Sequence, residues 1–135
     1  MLTESERRNL VIVETAFEAF ARRDMATVAA IFHADAHWRV PPMGVLKGNY
    51  RGRDQILGFF AHLAHETGGT YSTVPVAVAA AGNRVFAQNR ASATRKGTLW
   101  TWDVVYVFQF EPADGVATSV HQYMLDYPAA QRFWA

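Results

Sequence analysis

Residues 99–110 read LWTWDVVYVFQF, a run of β-branched and aromatic side chains without glycine or proline. That composition belongs in a central strand. Successive strand residues point to opposite faces, so Trp100, Trp102, Val104, Tyr106, Phe108 and Phe110 share one face. Thr101, Asp103, Val105, Val107 and Gln109 share the other. The aromatic face suits the floor of a large apolar cavity as well as a packed core. On this parity Asp103 lies on the outer face, where a cross-strand pair with Arg90 or Arg95 is its expected role.

To the C-terminal side, Pro112, Asp114 and Gly115 make a turn, and residues 116–127 make a last long strand. Pro128 can then open a short terminal helix, with Asp126 placed to cap it. To the N-terminal side, Lys96-Gly97 and Gly82-Asn83 are turn signals bounding strands over 84–95 and 70–81, and Pro75 marks the latter as an edge or bulged strand. Earlier still the period changes. Thr3 and Glu6 have capping-box spacing, and Leu10, Val13, Phe17 and Phe20 follow at helical steps to about Arg23. Asp24 caps a second helix containing Val28, Ile31 and Phe32, with His33 near its end. A short strand over 36–40 stops at Pro41-Pro42. A third helix starts near Asp54 and closes at Gly68-Gly69. Helices gathered on one side of an antiparallel sheet give an α+β fold.

At 135 residues this is one domain. Half the residues are hydrophobic, and the net charge of +1 is spread singly, so nucleic acid and membrane are not expected partners. The absence of cysteine removes disulfides, thiol nucleophiles and thiolate metal sites. The N-terminal residues lack the apolar core of a signal peptide, and a cytoplasmic protein is expected. Of the five histidines, His33 and His37 are four apart across an expected helix end, and residues 62–66 read HLAHE rather than HExxH, so no metal site is expected. The glycines of GVLKGNYRGR miss phosphate-loop spacing, and no cofactor is expected.

AFEAFARRDMATVAAIFHADAHWRVPP, KGNYRGRDQILGFF, the aromatic strand and DGVATSVHQYMLDY, in that order, resemble the SnoaL-like, ketosteroid-isomerase-like branch of the nuclear-transport-factor-2-like superfamily. The resemblance spans nearly the whole chain. It implies a cone: a curved antiparallel sheet wrapped by three helices, a cystatin-like arrangement with a pocket inside and frequent homodimerisation through the sheet. It does not select one activity, because the same cone carries isomerases, cyclases, hydrolases, dehydratases and binding modules. A ketosteroid isomerase uses an Asp base and an oxyanion hole made of a Tyr and a protonated Asp. By ungapped reading the helix Tyr falls on Ala16, the base on Val40 and the strand Asp on Tyr106, so that set is absent. In the cyclase and epoxide hydrolase branches an acid precedes a final Asp by three positions; here Tyr123 precedes Asp126. His121 shares its strand face and is the expected proton carrier, with Tyr123 as hydrogen-bond donor. The expected pocket is lined by Trp38, Val40, Trp100, Trp102, Tyr106 and His121, with Tyr50 on its lip. Two functions stay open: a cofactor-free isomerase, cyclase or lyase acting on a hydrophobic small molecule, and a non-enzymatic binding or dimerisation module.

Overall fold

The computed structural model describes residues 1–135. α1 (Glu4–Ala21) opens with a complete capping box: the Glu6 backbone N–H donates to Thr3 Oγ1 at 3.1 Å and the Thr3 N–H to Glu6 Oε1 at 2.8 Å. The other Glu6 oxygen accepts the Gly82 N–H at 2.7 Å, which ties the start of α1 to a distant turn. α1 ends in a Schellman motif, with the Arg23 N–H donating to Phe20 O at 3.0 Å and the Asp24 N–H to Ala19 O at 2.9 Å. Arg23 therefore sits in the left-handed region at φ 61°. Asp24 then caps α2 (Met25–Ala30) through the Thr27 N–H and hydroxyl, at 3.2 and 2.6 Å.

α2 is shorter than its apolar pattern predicts. Ile31 and Phe32 leave the helix, and His33 lies on β1 (Phe32–Arg39) rather than at a helix end. The last strand is the cause: Phe32 pairs with Ala117, whose N–H donates to Ile31 O at 2.7 Å. A helix of one or two turns carries little stability of its own, so this pairing wins. β2 (Asn49–Arg51), which the sequence reading missed, pairs antiparallel with β1, and α3 (Gly52–Glu66) follows without a side-chain cap. β3 (Ser72–Ala81) is an edge strand whose ladder breaks at Pro75, as its missing donor requires. β4 (Arg84–Arg95), β5 (Thr98–Phe110) and β6 (Ala117–Met124) lead to α4 (Tyr127–Trp134).

The six strands form one sheet in the order β2-β1-β6-β5-β4-β3. Every pairing is antiparallel except β1 with β6, which run parallel. On β5 the aromatic face turns inward: Trp102, Val104, Tyr106, Phe108 and Phe110 are buried, with Trp100 half-buried beside them. Phe17 of α1 packs on Tyr106 and Phe108, and Phe60 of α3 meets Trp38 edge to face at 5.2 Å between ring centres. Asp103 lies on the outer face and accepts from Arg90 Nε at 3.1 Å, one of the two pairings expected for it.

Arg95 has a different role. Its side chain is 5% exposed, and two of its nitrogens donate to Glu66 Oε1 at 2.9 and 3.1 Å. Its Nη1 reaches the carbonyls of Phe133 and Ala135 at 3.0 and 2.7 Å. One guanidinium thus joins the end of α3 to the end of α4. At the other end of α4, Asp126 accepts the Ala129 N–H at 3.1 Å.

Removing a buried charge strands its partners, so Arg95→Ala should lower unfolding free energy by about 2 kcal/mol in denaturant titrations. Asp126→Ala should cost about 1 kcal/mol, typical of a lost N-cap, without changing the occupancy of the cone by a ligand.

Candidate functional site

The helices and the inner sheet face enclose a cavity of about 40 Å³. Its walls are almost wholly apolar rings and branched chains, with Phe17, Phe59, Phe60, Trp38, Tyr106 and Phe108 the largest. A void of this size holds a few waters and no organic molecule, because about 10–15 Å³ of such space admits one water whereas benzene needs a cavity of about 150 Å³. Ala16 and Tyr106, the positions aligned with the isomerase Tyr and Asp, both line it.

A second space lies directly outside. It is a groove of about 400 Å³ between the end of α1, α3 and the start of β3, within the usual range for a small-molecule site. Phe20, Phe60, Tyr71 and Thr73 border both spaces. The Phe20 ring stands edge-on to Phe60 at 5.4 Å and to Tyr71 at 6.2 Å, so these three rings partition groove from cavity.

Few polar atoms face the interior. The Tyr71 and Tyr106 hydroxyls lie 3.4 Å apart, and burial pushes both phenols up, Tyr71 the further. Both stay protonated at neutral pH and can donate to a carbonyl or a developing oxyanion. Gln122 Oε1 accepts from Trp38 Nε1 at 3.2 Å, while its Nε2 has only the Met124 sulfur, at 3.8 Å. The amide therefore keeps a donor for a ligand oxygen. No carboxylate, histidine or other base lines this cavity.

Of the expected pocket residues, Trp38 and Tyr106 line the cavity and the others do not. Val40 is buried where its N–H donates to Gly48 O. Tyr50 stacks on Phe59 at 4.4 Å, and its hydroxyl accepts the Lys47 N–H. Trp100 and Trp102 stack on each other at 4.2 Å and pack against Phe133 of α4.

His121 and Tyr123 are neighbours as expected, 3.3 Å between Tyr123 Oη and His121 Nδ1, but they lie on the outer face of the sheet. The pairing fixes this. His121 stands opposite Val107 and Tyr123 opposite Val105, whereas Gln122 stands opposite Tyr106. Directly opposed residues share a face, so the sheet itself separates the pair from the cone. Their partners form a polar chain across β2, β1 and β6. Arg39 Nε donates to His37 Nδ1 at 2.9 Å, and Arg39 Nη1 lies 3.1 Å from His121 Nε2. A guanidinium only donates, so both ring nitrogens accept. His37 then carries its proton on Nε2, toward Asn49 Oδ1 at 3.1 Å, and His121 carries its proton on Nδ1, toward Tyr123. Loss of hydration lowers both imidazoles, and the Arg39 charge adds to it.

The sequence reading missed Phe20, Tyr71, Gln122 and Arg23. Gln122 had a detectable signal, since it lies between Val120 and Met124 at alternate positions of the last strand.

Residues 13–120 match the family model of the SnoaL-like domain. An uncharacterised protein of Mycobacterium tuberculosis is 29% identical over 128 residues, covering 94% of this chain and 96% of the relative. Bal32a, from a soil-derived mobile gene cassette, superposes with a TM-score of 0.92 at 28% identity, over 98% of this chain and 100% of its own. TerC, solved as a co-crystal with polyporic acid, superposes with a TM-score of 0.82 at 25% identity, over 94% and 98% of the two chains. With a matched domain and a cone shared along almost its whole length, the chain belongs to the SnoaL-like family of nuclear-transport-factor-2-like folds.

Proposed function

We propose that this chain binds a flat, hydrophobic small molecule that lies in the groove and inserts a ring into the cone by displacing Phe20. The observation that carries this reading is the continuity of a ligand-sized apolar groove with an inner cavity across a partition of three rings. Inside, the protonated Tyr71 and Tyr106 hydroxyls and the Gln122 amide recognise one or two oxygens of the ligand. The co-crystallisation of TerC with polyporic acid supports a small organic occupant. A second reading rests on the same phenols: donors that stay neutral at pH 7 stabilise an enolate, so a cofactor-free isomerase, cyclase or lyase would use Tyr71 and Tyr106 and draw its base from the substrate or water. His121 and Tyr123 act in neither, because they lie across the sheet from the cavity.

We also propose that the outer sheet face joins two copies of the chain. Phe86, Val105, Val107 and Tyr123 lie close together on adjacent strands there, with the Arg90–Asp103 pair beside them. A surface carrying apolar side chains and both charges is complementary to itself under a two-fold axis.

The uncharged fluorophore N-phenyl-1-naphthylamine should bind at one site per chain, with affinity lost in Ala64→Trp, which fills the groove, and unchanged in His121→Ala. Binding unaffected by Ala64→Trp would remove the groove from the function. Sedimentation should give a dimer that Val105→Arg converts to a monomer. His37 and His121 meet Arg39, Arg51, Asn49 and Tyr123 on this face and no carboxylate, and their depressed values mean that the folded protein resists protonation. Unfolded imidazoles titrate at about 6.5, so stability is fully present above that pH and falls as pH drops through the lower folded values. Melting temperature measured between about pH 8 and pH 5.5 should therefore fall with acid, less steeply in His37→Gln.

A further inference from the structure

We infer that the molecule this groove receives carries one anionic group, held at the mouth by Arg23. The inference rests on the binding reading above and adds the charge of the ligand to it. Arg23 is the sole charged side chain among the 13 residues that line the groove; the others are apolar or carry only hydroxyls. Its Nη2 donates to Gly69 O at 3.0 Å across the mouth, which aims the guanidinium over the opening and leaves its remaining donors without a protein partner.

No carboxylate answers this charge. The ion pairs of the protein are Arg90–Asp103 and Arg95–Glu66, both elsewhere. The adjacent Asp24 is committed to the α2 cap, where the Thr27 hydroxyl and N–H hold its carboxyl below the usual range. An arginine with open donors at the rim of an apolar groove fits a carboxylate, sulfonate or ionised phenol on the ligand, which it can grip by two parallel N–H groups.

Arg23 occupies the C′ position of the Schellman motif at φ 61°, where glycine is the usual residue because a side chain is strained there. Lys96 carries the same left-handed backbone in the β4–β5 turn, so the case for Arg23 rests on its place in the groove lining and its open donors. The ligand class that follows is an aromatic acid: the ring lies on Phe20, Phe60 and Leu57, and the anionic group remains at the mouth.

The test compares two fluorophores with one ring skeleton, 8-anilinonaphthalene-1-sulfonate and the neutral N-phenyl-1-naphthylamine, on the full chain. Arg23→Ala should weaken the sulfonate by about tenfold, the effect of one lost charge-assisted hydrogen bond, and leave the neutral probe unchanged. Added salt should weaken only the sulfonate. Arg23→Gly should show the same loss yet melt above Arg23→Ala, since glycine relieves the left-handed strain and keeps the protein folded for the comparison. Equal loss of both probes in Arg23→Ala would reduce Arg23 to a structural strap and overturn the inference. So would unchanged sulfonate affinity with Ala64→Trp still blocking both probes, while leaving the groove reading in place. If Ala64→Trp blocks neither probe, the groove reading itself falls and the inference falls with it.

Discussion

The pairing of β5 with β6 determines what is inside this molecule. Tyr106 opposes Gln122 and Val107 opposes His121, and from that register every other residue of the last strand is assigned to the cone or to the outer surface. Sliding the strand by one residue would exchange the two sets. It would put an imidazole and a phenol into the aromatic core and expel Val120 and Gln122. The Trp38–Gln122 hydrogen bond strengthens this assignment from inside, because the Gln122 amide is the acceptor that β6 presents to the buried Trp38 indole N–H.

The electrostatic layout follows from that register. The cavity lining holds hydroxyls, the Trp38 indole and the Gln122 amide, all neutral at physiological pH, and the two phenols are driven further from ionisation by their own burial. No charged group lines the cavity; the charged groups with defined partners stand outside it, among them those on the outer sheet face, at the groove mouth and at the Arg95 junction. Any selectivity for a ligand inside the cone thus comes from shape and hydrogen-bond direction. The aromatic walls that make the core stable also close it: Phe20 completes a contact with Phe60 and Tyr71 that a ligand must replace ring for ring.

The faces of β5 were legible in the sequence because its alternation is unbroken, with Asp103 on one side and six aromatic or branched residues on the other. β6 was not legible in the same way. Its residues ATSVHQYM place polar groups on both sides, so the apolar alternation is carried by Val120 and Met124 alone and is too faint to orient the strand until a partner does. Ile31 and Phe32 were assigned to a helix because they are apolar in either period, and only Ala117, far along the chain, decides between them. Trp100 and Trp102 were rightly placed on the inner face, yet α4 packs on both, so Trp102 fills the core and Trp100 borders a separate hollow beside α4 instead of the cone cavity. Arg23 was invisible for a different reason: a left-handed helix end is normally announced by glycine, and an arginine there reads as part of the helix.

The parallel pairing of β1 with β6 has a consequence for the order in which the protein is made. β1 lies between β2 and β6, and β6 is the last strand of this sheet to be synthesised. Until residues 117–124 emerge, the β1–β2 ladder is a two-stranded ribbon detached from the sheet of β3, β4 and β5. Two strands alone are marginal in water. Helices and the later hairpins can form locally during synthesis, but the cone closes only when the C-terminal strand slots into the middle of the sheet. Long-range closure of this kind is slow, and while it is pending, the facing edges of β1 and β5 are open to any extended segment nearby. A nascent chain stalled before Ala117 therefore presents two unpaired strand edges beyond those of β2 and β3, which makes late translation the period of greatest exposure to chaperones and to misassembly.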